Sequence, residues 1–272
     1  MATMDWSAQG GSAPANYQEF LVPAMFEPFA ATLVEQAGVG EGSVVLDVAC
    51  GTGAASREAA RRAGENGSVT GVDLGEPTLA VARAQPAHPG AAPITWLQAD
   101  ATALPVEDGA FDVAICQQGL QFFPDKPAAL AEMHRALKPG GHLAIATWTA
   151  IERAPVGAIA EALEAHVGGE AASVIRSPFA LPASELESSI AAAGFHDVEV
   201  GQEEKECTWA ARPEEFGPRF IACSPLAAAF AQVPEEIRQA VAEDVGRRLA
   251  DQATSDGRLR MPMISNVALA RR

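Results

Sequence analysis

The chain is short of positive charge. Its 272 residues carry 19 Lys and Arg against 35 Asp and Glu, a net charge of −16. Binding a nucleic acid or an anionic membrane by charge requires several phosphates to be neutralised, so neither partner is expected. Arg247, Arg248, Arg258, Arg260, Arg271 and Arg272 fall late in the chain, but scattered acids dilute them. No lysine or arginine precedes Arg57, which argues against a secretory or organellar targeting segment. No apolar run reaches membrane-spanning length, roughly 20 residues. The four cysteines, Cys50, Cys116, Cys207 and Cys223, show no CxxC and no metal-ligand spacing, so no metal site is expected. A reduced, cytoplasmic protein fits this pattern. Tyr17 is the single tyrosine, and no internal repeat is visible.

The chain is organised around Ser43 to Ser56. Val44-Val45-Leu46-Asp47-Val48 is a short β-branched run, Cys50-Gly51-Thr52-Gly53 is a Gly-x-Gly loop, and an alanine-rich helical stretch follows. The glycines let a backbone come close to a ligand at a helix N-terminus. Asp47 at the strand end suits a cationic ligand group and would repel a pyrophosphate. A second strand, Ser68 to Asp73, ends in an acid 20 residues beyond Gly53. In a βαβ unit an acid there accepts hydrogen bonds from a ribose diol. Strands are also expected over Ile94–Gln98, Val113–Cys116 and His142–Trp148, with Asp100 just beyond the third and Gln117 just beyond the fourth.

VLDVACGTG resembles motif I of the class I S-adenosylmethionine (SAM) methyltransferases, closest to the ubiquinone/menaquinone-biosynthesis branch. The connector from Leu104 to Asp112 and "LKPGGHLAIATW" at 137–148 resemble the same family. The resemblance implies a Rossmann-like α/β fold, a seven-stranded, mostly parallel sheet with an antiparallel last strand. It further implies SAM as cofactor, S-adenosylhomocysteine as product, and a small, fairly apolar metabolite methylated on O, C or N. The implied cofactor residues are Asp47, Ala49, Gly51, Gly53, Asp73, Leu74, Asp100, Ala101 and Gln117. Asp47 would meet the amino group, Asp73 the ribose, Leu74 the adenine ring and Asp100 the adenine amino group. Tyr17, Gln121, Phe122 and Trp148 are candidate substrate-pocket residues. The family's usual "LHHF" reads Leu120-Gln121-Phe122-Phe123 here, with the two histidines replaced by Gln121 and Phe122, so this loop offers no imidazole base. No catalytic residue is assigned.

A single domain over 1–272 is expected, with a helical lid over 15–40, a cofactor core over 41–150 and a substrate-side half beyond. Residues 1–14 are small and loose in composition. The helical pattern from Asn16 to Ala37 is expected to break at Pro23 and Pro28. Pro155 to Val167 reads as a helix ended by Gly168-Gly169, and Ser184-x-x-Glu187 as a capping box. A strand begins at His196 and runs towards Trp209, and the last strand spans Leu259 to Leu269. Between them, about 212–252 is helical, with Ile237, Val241, Val245 and Leu249 forming an apolar stripe. This block is expected to be an insertion that caps the substrate side.

Two other classes fit parts of the pattern. A SAM-binding protein without methyl transfer would share every cofactor motif. A nicotinamide-dependent oxidoreductase would share the βαβ unit, but Gly51-x-Gly53-x-x-Ser56 lacks the third glycine. A DNA or RNA methyltransferase is disfavoured by the acidic balance and by Cys116-Gln117-Gln118-Gly119, which lacks a Pro-Pro-aromatic signature. The oligomeric state, monomer or homodimer, is not readable.

Overall fold

The β-branched runs pair into one sheet. In a computed structural model, which describes residues 12–272, the strands are β1 (Val44–Val48), β2 (Ser68–Asp73), β3 (Ile94–Gln98), β4 (Phe111–Gln117), β5 (Leu137–Thr149), β6 (His196–Trp209) and β7 (Leu259–Arg271). They form a seven-stranded sheet in the order β3-β2-β1-β4-β5-β7-β6. The first five pair in parallel. β7 runs antiparallel to both β5 and β6. The helices are α1 (Ala13–Asn16), α2 (Glu27–Gln36), α3 (Ala54–Ala63), α4 (Glu76–Ala84), α5 (Lys126–Ala136), α6 (Pro155–His166), α7 (Gly169–Arg176), α8 (Ala183–Ala192), α9 (Pro213–Ala222), α10 (Ala227–Phe230) and α11 (Glu235–Leu249). A π-helix, Tyr17–Phe26, precedes α2.

The chain packs as two compact units. One comprises Glu27–Thr147, Leu181–Glu203 and Ser265–Arg272. Here the alternation of β1 divides the core. Leu46 and Val48 face Leu130 and Met133 of α5 and Leu186 and Ile190 of α8. Val45 faces Leu33 and Val34 of α2 and Ala55, Ala59 and Ala63 of α3. Period-2 strands thus meet period-3.6 helices on both faces, as a parallel sheet buried on both sides requires. Phe111 packs in the same core cluster as Leu130 and Met133 of α5.

The other unit comprises Trp148–Ala180 and Glu204–Ile264 with the described residues up to Phe26. Aromatic contacts hold it. Phe26 lies 4.9 Å from Tyr17 and 5.8 Å from Trp148 between ring centroids. Phe216 of α9 meets Trp209 at 5.3 Å and Phe20 at 6.1 Å. Val241, Val245 and Leu249 of α11 are buried, so the apolar stripe is a packing face, with Ile237 half-buried at its end.

Several sequence expectations are corrected. The helical path does not break at Pro23 or Pro28. Pro23 lies inside the π-helix, whose wider turn relieves the clash that a proline ring makes in an α-helix. Pro28 is the second residue of α2. Gly168 does end α6, but α7 starts at once, because Gly168 at φ +135° turns the chain sharply. Ser184 is not a cap. Pro182 stands at the N-cap of α8, and its carbonyl takes the first helical bonds from Glu185 and Leu186. β5 starts at Leu137 rather than His142, because Leu137 pairs with Phe111 and Gly141 with Arg272 at the end of β7. Of the stretch read as loose, residues 1–11 lie outside the described residues, and α1 already begins at Ala13. Between β6 and β7 lie the helices α9, α10 and α11.

One large side chain sets the packing beside the central loop. Trp96 of β3 pairs with Gly71 of β2. A Cβ on Gly71 would lie 2.7 Å from the Trp96 ring, and one on Gly53 2.4 Å from it. Neither glycine can take a side chain unless the indole moves. Overpacking of this kind costs about 1–3 kcal/mol. Gly71→Ala is expected to lower stability by that amount, and the same change in a Trp96→Ala background to cost less than half as much. A double-mutant cycle read by chemical denaturation measures the difference.

Candidate cofactor site at the strand ends

The C-terminal ends of the parallel strands are laced together by backbone groups. After β1 the chain passes through Ala49 at φ +58°, Gly51 at φ +57° and Gly53 at φ +87°. Left-handed residues at alternate positions coil the loop tightly, and Gly53 then caps α3. The Cys50 N–H donates to the Val72 carbonyl at 3.0 Å. Asp73, last in β2, accepts from the Gly51 N–H at 2.8 Å through Oδ2 and from the Gly75 N–H at 2.9 Å through Oδ1. Burial raises the Asp73 carboxyl above its ordinary range, and backbone bonds from Gly75, Gly51 and Leu74 act against that.

The loops after β3 and β4 join the same edge. The Ala99 N–H donates to the Asp73 carbonyl at 3.1 Å, and the Gln98 side chain to the Leu74 carbonyl at 3.1 Å. Leu74 is 50% exposed, unusual for a leucine among the described residues. Asp100 accepts from the N–H and the hydroxyl of Thr102, both at 2.8 Å and both on Oδ1. These bonds hold its carboxyl below the usual range. Ala101, next in this turn, is half-buried. Gln117 ends β4 and is buried. Gly119 sits so close to Ala49 that a Cβ there would be 2.6 Å from the Ala49 methyl. The loops after β1, β2, β3 and β4 are thereby in mutual contact. They carry Ala49, Gly51, Gly53, Leu74, Asp100 and Ala101, and the C-terminal ends of β1, β2 and β4 carry Asp47, Asp73 and Gln117.

Two of those residues are placed in a way the motif does not reveal. Gly53 lacks a side chain because Trp96 fills that space. Asp47 is 0% exposed and turns towards α3, where Ser56 Oγ donates to its Oδ2 at 2.5 Å. Its Oδ1 is sealed from solvent with no hydrogen-bond partner. Burial raises its pKa to about 7, against the Ser56 bond and with a further push from Asp73. A carboxyl so placed ionises readily only when a cation comes near. Arg57 is the nearby fixed cation, and its guanidinium is tied to the Thr52 carbonyl at 2.6 Å. Burial also raises Cys50 and Cys116, so both are inert small hydrophobes. His142 Nδ1 bonds the Ala37 carbonyl at 3.1 Å, a scaffold role.

The substrate candidates divide between the units. Tyr17 and Trp148 flank Phe26 in one. Gln121 and Phe122 form a single 3-10 turn after β4 in the other. Both amide atoms of Gln121 are buried without a partner. Sequence reasoning missed Gln118 and Trp96. The pairing of a large residue with Gly71 across the β2–β3 register was the available signal for Trp96. Nothing in the sequence separates Gln118 from Gln117. Among the described residues, no cluster of metal-ligating side chains occurs, and no helix is long and apolar enough to cross a membrane.

Residues 45–141 match the family of methyltransferase domains. Over this stretch the chain is similar to UbiE-like class I methyltransferases. It is 39% identical over 137 residues to the ubiquinone/menaquinone biosynthesis C-methyltransferase UbiE of Paraburkholderia phymatum, an overlap of 49% of this chain and 56% of that one. It is 40% identical over 119 residues to the 2-phytyl-1,4-naphthoquinone methyltransferase of Synechocystis, covering 42% of this chain and 49% of that one. The chain spans about half the length of these curated relatives. Solved structures extend the likeness in fold. The YcgJ protein of Bacillus subtilis superposes with a TM-score of 0.57 at 16% identity, covering 90% of this chain and 98% of that one. A phosphoethanolamine N-methyltransferase of Haemonchus contortus, solved with S-adenosyl-L-methionine, gives 0.54 at 19% identity, covering 90% and 52%.

Asp47 makes the domain's stability depend on pH. Its carboxyl releases a proton near 3.8 when unfolded and about 7 when folded. Between those values the folded chain holds a proton that the unfolded chain has lost. Stability is therefore full below the lower value and declines as pH rises through the upper one, by up to about 4 kcal/mol. The melting temperature of the ligand-free protein is expected to fall over this window, and Asp47→Asn to flatten the fall. Parallel melting curves for the two proteins from pH 4 to pH 8 would count against this placement of the proton.

Proposed function

We propose that the chain transfers a methyl group from SAM to an oxygen, carbon or nitrogen of a small, fairly apolar metabolite, releasing S-adenosylhomocysteine. The observation that carries this reading is Asp73. Its carboxylate stands at the end of β2, held in place by the Gly51 and Gly75 N–H groups, where it would face a ribose diol. Leu74 beside it presents an apolar face to solvent, as an adenine ring requires. Asp100 offers its second oxygen as an acceptor for an exocyclic amine. The unmet Oδ1 of Asp47 supports a nearby ammonium group, directly or through water, which would draw the carboxyl into its ionised form.

When bound, SAM supplies an already activated methyl group. What remains for the chain is to hold the acceptor in line and keep water out, and positioning can supply about 7–11 kcal/mol. The names of the quinone-methylating relatives support an apolar acceptor. Gln121 and Phe122, next to the end of β4, are the proposed acceptor-side residues of this unit. Four unpaired cysteines support a reducing, cytoplasmic setting. The net charge of −16 supports a small-molecule rather than a nucleic-acid substrate.

Isothermal titration with SAM, S-adenosylhomocysteine and NADH tests the cofactor. The two sulfur ligands are expected to bind and NADH not to. Charge-assisted hydrogen bonds contribute roughly 1.5–3 kcal/mol each, so Asp73→Ala is expected to weaken binding at least about tenfold. Unchanged affinity in this variant would remove the ribose assignment. Transfer of an isotopically labelled methyl group to a pool of apolar metabolites tests the reaction, and its absence with intact SAM binding would favour a non-methylating use of the site.

A further inference from the structure

Gln118 follows Gln117 at the end of β4, in the segment that packs against Ala49. It is 4% exposed and holds φ at +56°. A glutamine in the left-handed region is strained, and such strain persists where the surroundings enforce it. Its backbone N–H bonds the Ala146 carbonyl at 2.9 Å. Its side-chain Nε2 donates to Ser265 Oγ at 3.0 Å. Ser265, itself 0% exposed, has one hydroxyl proton, and the Thr147 and Asn266 carbonyls lie at 3.1 and 3.0 Å to take it. Whichever carbonyl takes it, the serine oxygen is left to accept from Gln118. The amide is therefore locked one way round, with Oε1 as its free end.

That oxygen is buried and has no hydrogen-bond partner. A carbonyl buried without a donor is costly, and native structures seldom leave one so. Three residues on, the Gln121 amide is also buried, with neither its oxygen nor its nitrogen partnered. Two orphaned amides at the C-terminal edge of a parallel sheet lie where such sheets bind ligands. Because the Gln118 oxygen is sealed, a ligand reaches it only when a neighbouring segment gives way.

We propose that Gln118, oriented by Ser265, is a specificity residue. Its Oε1 accepts a hydrogen bond from a hydroxyl of the apolar acceptor molecule, so that hydroxylated molecules are taken and their O-methylated or deoxy counterparts refused. A buried acceptor left unpaired by the wrong ligand is an effective means of rejection. This inference rests on the methyltransferase reading for the nature of the molecule. It stands apart from that reading in how it fails.

Equilibrium dialysis of the protein saturated with S-adenosylhomocysteine against 1-naphthol and 1-methoxynaphthalene tests it. The wild type is expected to prefer 1-naphthol about tenfold or more. Gln118→Met keeps the length and removes the acceptor, and should bring the ratio to about one by weakening 1-naphthol alone. Ser265→Ala leaves Gln118 in place but frees its amide to turn, and should also erode the ratio. It decides the matter if the methionine variant does not fold. S-adenosylhomocysteine affinity should be equal in all three proteins. Three results would each overturn the proposal: a wild type that binds both probes equally or neither, a preference that survives both substitutions, or a Gln118→Met variant that loses S-adenosylhomocysteine instead of 1-naphthol. If the wild type fails to bind S-adenosylhomocysteine, the methyltransferase reading falls, and the naphthol preference measured without it still judges Gln118.

Discussion

The Asp73 carboxylate joins two turns that nothing else ties as directly. One oxygen holds the Gly51 N–H and the other the Gly75 N–H. The loop after β1 can coil through left-handed Ala49, Gly51 and Gly53 only if its exposed amides find acceptors, and Asp73 supplies one of them. From this junction the contacts spread outward. The Asp73 carbonyl receives Ala99 from the next strand end, and Ala49 receives Gly119 from the loop after β4. The same residue that would hold a ribose is thus already structural before any ligand arrives. Its carboxylate is held in place by the Gly51 and Gly75 N–H groups.

The second constraint is electrostatic. Asp47 and Asp73 are both drawn above their ordinary carboxyl range by burial, and Asp73 adds to the rise of Asp47. Ser56 satisfies only one oxygen of Asp47. A buried carboxyl with an unmet oxygen is a poor contribution to stability and a good receptor for a cation. Trp96 sharpens this arrangement. Its ring fills the space over Gly53 and Gly71.

Much of this was legible in order of residues. Each of the five parallel strands ends within a few residues of where its β-branched run stops, because a run buried on both faces must be apolar throughout. Asp47, Asp73 and Asp100 are separated by α3 and α4, and Asp100 and Gln117 by a connector without a helix, yet the parallel topology places all four strand ends on one edge. The misreadings share a cause. Pro23 breaks an α-helix but not a π-helix, and Ser184 with Glu187 resembles a cap that Pro182 supplies instead. Local preference is weak enough for packing to override it.

The sequence by itself determined the α/β class, the order of the strand-end acids and the glycine loop, because these follow from periodicity and short-range backbone chemistry. Only the tertiary structure decided what each group faces. It turned Asp47 towards Ser56, set Trp96 over Gly53, and tied Gln118 to Ser265 from a strand 147 residues further on. Such contacts depend on which strands become neighbours, with β7 placed between β5 and β6. No window of sequence contains that information, since the free energy that selects it comes from burying both faces of the whole sheet at once.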